Sequence, residues 1–167
     1  MKKYPVTDRL DAIVKESGKL IDSYQAYEKE LTNLRSFIRN YVNEKIISEK
    51  HQEILSIKEK FEIISTDFRE FKREHRSEFS GLMQEYLDKY EEYLAAVFHS
   101  MNIRIQLQDT LLAKDGNLLS NISLMRDMGD AIDLCLYSGL EVNEIASQIL
   151  QKNLTCASSG RAKGARR

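Results

Sequence analysis

From Leu10 to about Leu112 the apolar residues recur every three or four positions, and no proline follows Pro5. Such spacing keeps one face of a 3.6-residue helix apolar, so the chain must fold into long helices that lie against other helices. The first stripe runs Leu10, Ile13, Ser17, Leu20, Tyr24, Tyr27, Leu31, Leu34, Ile38 and Tyr41. Val14, Ile21 and Val42 widen this heptad pattern beyond a two-position coiled-coil seam, which makes a bundle face as natural as a two-stranded coil. Thr7 followed by Asp8 has the chemistry of an N-cap with an acidic first turn.

The phase of the pattern changes twice. In the first register Gln52, Glu59 and Glu62 would fall on the seam, whereas apolar residues resume at Ile54, Ile57, Phe61, Ile64, Phe68 and Phe71. A turn within residues 46–53 is expected, with Ser48 capping the next helix; a continuous helix with a stutter is the alternative. The second slip falls at residues 76–81, around Ser77, Ser80 and Gly81, before a stripe of Phe79, Met83, Tyr86, Tyr90, Tyr93, Val97 and Met101. It marks a bend or a break. One helix from 52 to 112 would be about 90 Å long and would need a partner.

Residues 102–108, NIRIQLQ, alternate like a strand, but a lone strand has nothing to pair with, and Met101, Ile105 and Leu112 also fit a helical face. Helix is expected there. Residues 114–117 form a Gly and Asn loop, 118–137 an apolar helix ended by Ser138-Gly139, and 141–152 a short helix. The basic, Gly-containing residues 154–167 are expected to be disordered. The organisation is then an N-terminal extension (1–6), one helical domain (7–153) and a basic tail (154–167). The fold class is all-α, with long antiparallel amphipathic helices forming a bundle or a coiled-coil-like elongated dimer. One Pro, seven Gly and no Trp agree, since a sandwich or barrel needs turn residues every few positions.

The net charge of −1 divides into +5 on Lys152, Arg161, Lys163, Arg166 and Arg167 and −6 on the rest. An acidic body is no general nucleic-acid or anionic-membrane surface, so such contacts must come from the tail or a local stripe. Cys135 in an apolar run and Cys156 in the polar tail do not form a planned bridge, which points to a reducing compartment. The N-terminus lacks the apolar core of a signal peptide, and no window has the roughly 18 apolar residues of a membrane span. A cytoplasmic protein, in solution or peripheral to a membrane, is expected.

Catalytic chemistry finds little support. His51, His75 and His99 lack the paired carboxylate and histidine spacing of a helical metal site, and His75 falls on the seam, where packing accounts for it. There is no phosphate loop and no nucleophile elbow. No catalytic residue, cofactor, metal or small-molecule substrate is expected. Tyr24, Tyr27, Tyr41, Tyr86, Tyr90 and Tyr93 sit at helical spacing on the apolar stripes, as core residues do. Leu31, Leu34, Ile38, Phe61, Ile64, Phe68, Phe71 and Tyr86 are the candidate assembly seam.

The run Gly139 to Ala146, GLEVNEIA, resembles the opening of a resolvase-type helix-turn-helix, although Leu150 stands where that pattern has a turn glycine. The resemblance implies DNA contact through the basic tail at Lys152, Arg161, Lys163, Arg166 and Arg167, and this is the alternative reading. Phe61-Glu62, Ile64-Ser65-Thr66, Arg69, Phe71, Arg73-Glu74, Glu78-Phe79 and Tyr86-Leu87-Asp88, within residues 58–90, resemble the final long helix of sorting-nexin BAR domains. That resemblance implies a crescent-shaped dimer on curved anionic membrane in membrane trafficking, with Arg69, Lys72, Arg73 and Arg76 facing the lipid. The expected function is a non-enzymatic helical scaffold or adaptor whose partners are proteins, as a homodimer or with a helical partner subunit.

Overall fold

The computed structural model describes residues 5–32, 44–79, 81–113 and 118–163. Four helices account for nearly all of them: α1 (Pro5–Thr32), α2 (Glu44–His75), α3 (Leu82–Ala113) and α4 (Leu118–Lys163). A 3-10 turn at Arg76–Glu78 follows α2. There is no strand among the described residues, and NIRIQLQ lies inside α3.

Polar contacts at two points along each packed pair fix its direction. Arg9 meets Glu74 at 2.8 Å and Glu30 meets Lys50 at 2.8 Å, so α1 and α2 are antiparallel. Lys72 with Asp88 at 2.6 Å and His51 with Asp109 at 3.3 Å make α2 and α3 antiparallel. Lys89 with Glu141 at 3.2 Å and Ser100 with Cys135 at 3.7 Å set α4 antiparallel to α3. Helices α1 and α3 therefore run parallel, and α3 is the central helix that touches the other three.

The stripes close on one another. Leu10, Ile13, Tyr27 and Leu31 of α1 meet Ile54, Phe61, Phe68 and Phe71 of α2 and Leu87, Tyr90, Val97 and Met101 of α3 in one core. Ile54, Phe61, Phe68 and Phe71 have no exposed surface, and burying each such side chain contributes about 1.5–3 kcal/mol. The residues proposed as an assembly seam are thus spent within the chain. Leu31, Phe61, Phe68 and Phe71 are buried, and Ile64 and Tyr86 pack against the same core. Leu34 and Ile38 lie outside the described residues.

Three boundaries differ from the sequence expectation. Helix α1 begins at Pro5, so Thr7 sits inside its first turn; proline suits that end, where its missing N–H has no helical acceptor. No turn falls within 46–53: α2 is continuous from Glu44, and Ser48 is not its cap. Ile47 is buried one heptad before Ile54, so the second register is already established there. Ser138-Gly139 does not end a helix either, since α4 runs through both to Lys163 and so includes residues 154–163 of the expected tail. Ser138 Oγ donates back to the Leu134 carbonyl at 2.7 Å. Gly139 is a close-approach residue, because a Cβ there would come within 3.3 Å of the Tyr93 ring.

The slip at 76–81 is a break. After the 3-10 turn Phe79 is extended (φ −104°, ψ 152°), and Gly81 takes φ +57°, in the left-handed region that side chains with a Cβ rarely adopt. The stretch 58–90 that resembles a single BAR-type helix therefore spans the end of α2, this turn and the start of α3. A Cβ on Gly81 would meet nothing within 4 Å, so any penalty for alanine is backbone strain alone. Urea unfolding is expected to show Gly81→Ala less stable by about 1 kcal/mol and Phe68→Ala by about 3–5 kcal/mol. A neutral Gly81→Ala would contradict the turn geometry.

Candidate functional site: the groove between α1, α3 and α4

Polar layers join α1 to α3. Ser17 Oγ donates to the Ile13 carbonyl at 2.8 Å and lies 2.7 Å from the Tyr90 hydroxyl. Further along, Arg104 holds Glu28 in a two-pronged pair, Nε to Oε1 at 2.7 Å and Nη2 to Oε2, with side chains only 5% and 13% exposed. Gln108 Nε2 donates to the Tyr27 hydroxyl at 2.5 Å. Burial raises the hydroxyl pKa of Tyr24, Tyr27 and Tyr90, and it pushes Tyr86 up to about 12.

Beside these layers a groove of about 570 Å³ opens between α1, α3 and α4. Ile21, Tyr24 and Gln25 form one wall and Ile132, Leu136 and Leu140 the other, with Val97, Ser100 and Cys135 on the floor. Cys135 Sγ lies 3.7 Å from Ser100 Oγ, which donates to the Val97 carbonyl at 2.8 Å. Burial raises the Cys135 pKa, so the thiol is a poor nucleophile at neutral pH. Cys135 and Cys156 both belong to α4, about 30 Å apart along its axis, too far to bridge. The floor is neutral, and the one charge lining the groove, Glu28, is met by Arg104. The groove offers apolar surface with a few hydroxyls, a surface suited to binding.

The outer edge of the groove continues into a row of large apolar side chains along α4. Ile122 is 46% exposed, Met125 42%, Leu136 60%, Leu140 65% and Leu150 64%, while Leu134 and Tyr137 are exposed on other sides of the same helix. The neighbouring row, Met128, Ala131, Cys135, Ser138, Val142 and Ile145, faces α3. Sequence reasoning missed the outer row because an apolar helix at 118–137 looks the same whether its large residues point inward or outward.

The basic residues assigned to a membrane are not equivalent. Lys72 is held by Asp88 at 2.6 Å and Glu91 at 2.5 Å, and Arg76 lies 3.7 Å from the same Asp88. Arg69 Nε donates to the Ser65 carbonyl at 3.2 Å, and Arg73 is exposed. Of the nucleic-acid candidates, Lys152 is exposed on α4, and Arg166 and Arg167 lie outside the described residues. Arg161 and Lys163 belong to the last turns of α4. The GLEVNEIA run is one uninterrupted stretch of helix through Leu150, with no turn to start a recognition helix. His75 packs against Phe71 with the rings tilted at 43° and centroids 5.0 Å apart, and it meets Glu78 at 2.7 Å, as a packed seam residue should. No metal-ligating cluster and no membrane-crossing helix occur among the described residues.

Comparison with known proteins adds no relative: no family model matches the chain, and neither the curated proteins nor the solved structures give a match.

Removing Arg104 strands a buried carboxylate. Arg104→Met alone is expected to destabilise by about 3 kcal/mol or more, and adding Glu28→Leu to recover most of it; a double variant no better than the single one would refute the pairing. The tyrosines set an alkaline limit. Above pH 10 the unfolded chain releases tyrosyl protons that the folded chain keeps, so stability falls as pH rises from 10 through the folded-state value of about 12 for Tyr86. The slope is about 1.4 kcal/mol per pH unit for each such tyrosine. Denaturant unfolding between pH 9 and 11 measures it, and a flat profile would show these hydroxyls to be solvated.

Proposed function

We propose that the protein is a non-enzymatic helical scaffold or adaptor that assembles with another protein through the exposed apolar row of α4. The row itself carries the reading. Scattered surface leucines are ordinary, but large apolar side chains aligned along one helix and bordering an apolar groove are the mark of an interface. Met128, Ala131, Ser138, Val142 and Ile145 of α4 are buried while Leu136, Leu140 and Leu150 face solvent, an arrangement that leaves the isolated chain with wet hydrocarbon.

A membrane-surface role would ask Lys72 to leave two carboxylates, and a DNA role would rest on the α4 terminus alone. Neither has a geometric feature comparable to the row. In the cell the partner is expected to sit on α4, so a photo-crosslinking residue at Leu140 should give one discrete protein adduct, and the same residue at Lys60 on α2 should give none. Leu136→Glu should abolish that adduct while changing folding stability by less than about 0.5 kcal/mol. A large loss of stability would mean the row belongs to the core, and an adduct insensitive to Leu136→Glu would remove the row as the contact.

A further inference from the structure

We infer that the partner on this row is a second copy of the chain, docked as an antiparallel α4–α4 pair with Leu136 on the two-fold axis. The inference deepens the assembly reading and rests on it. Its two apolar pairs are mirror-related about Leu136, Ile132 with Leu140 four residues to either side and Ile122 with Leu150 fourteen, while Gly129 meets Asn143 and Met125 meets Ser147. An isologous two-fold contact needs this self-complementarity, because each residue meets the mirror position of the same surface. At 1.5 Å per residue the row is about 42 Å long, enough for an extended helix–helix seam.

The charges follow the same symmetry. Arg126 and Glu144 both stand about 80° around the helix from Leu136, on its solvent side, at 100° per residue. Both are exposed, and neither has an ion partner among the described residues. The two-fold places Arg126 of one copy within about 3 Å, along the axis, of Glu144 of the other, twice per dimer. A second copy thus supplies the apolar row and the matching charges together. Asp133 of the two copies falls on the same flank, offset by about 9 Å along the axis, a separation at which salt screens the repulsion substantially.

Gly129 fits the same pair. Glycine inside a helix costs stability relative to alanine, yet a Cβ at this position would meet nothing within 4 Å in the chain. In the pair, Gly129 faces Asn143 of the other copy, where missing bulk lets the two helices approach.

Sedimentation equilibrium on the full chain, with variants, decides the matter. Wild type is expected at twice 19.4 kDa at micromolar concentration, and Leu136→Glu as a monomer of unchanged helicity. Arg126→Glu and Glu144→Arg should each weaken the dimer at least about fivefold, and the double swap should restore it. In a Cys135→Ser, Cys156→Ser background, Leu136→Cys should oxidise to a linked dimer. Ile122→Cys should link to Leu150→Cys but not to itself. A monomer across the range, a double swap that fails to restore the dimer, or self-linking of Ile122→Cys would each overturn the inference. If the chain is monomeric while the Leu140 adduct persists with another protein, only self-pairing fails; if both are absent, the assembly reading fails with it.

Discussion

The buried pair between Glu28 and Arg104 is the contact on which the rest of the bundle is registered. Helices α1 and α3 are not consecutive, since α2 lies between them, so no short loop dictates how far one slides along the other. Apolar stripes with a heptad repeat tolerate a one-heptad slide. Polar partners do not. A slide would leave a guanidinium only 5% exposed without its carboxylate, a penalty of several kcal/mol that apolar repacking cannot return. The Ser17–Tyr90 and Tyr27–Gln108 contacts fix the same register. With α1 and α3 locked, the groove that receives the flank of α4 is set.

Helix α4 shows what this frame leaves over. Its contact face mixes the small Ala131 and Ser138 with the larger Met128, Val142 and Ile145, and Gly139 admits the Tyr93 ring. Leu136 and Leu140 stand on the adjacent row, and Leu134 and Tyr137 are exposed on other sides of the helix. At 46 residues it is also longer than the 32-residue α3 against which it packs. A face buried against its own bundle and a bulky apolar row turned to solvent are what a helix shared between two bodies requires.

Most of the fold was legible because its signal is periodic. Leu10, Ile13, Ser17, Tyr24, Tyr27 and Leu31 sit on the expected stripe and are all buried. Five of the six tyrosines expected in the core are there: Tyr24, Tyr27 and Tyr90 are buried, Tyr86 and Tyr93 pack against the same core, and Tyr41 lies outside the described residues. What failed was punctuation. Ser138-Gly139 has the composition of a helix stop, but glycine serves packing there, and sequence does not reveal that a ring lies opposite. Ser48 has the chemistry of a cap, but α2 has already begun. The site was the least legible part. A stripe denotes burial without saying in which chain, and the seam assigned to a partner turned out to face its own bundle once the slip at 76–81 became a turn. Arg104, buried among apolar neighbours, carried no sequence signal beyond an unusual place on a core stripe.

The central claim is that the long seam is satisfied within one chain and that the α4 row alone of the apolar surfaces described above is left for assembly. Residue-resolved carbene footprinting of the native protein across a concentration series tests it most directly. The account requires Phe61, Phe68, Phe71 and Leu31 to be protected at every concentration, and Leu136, Leu140 and Leu150 to be labelled in dilute solution and protected as the chain assembles. Labelling of Phe61 and Phe68 in dilute solution, with protection on assembly, would place the seam between chains and contradict it.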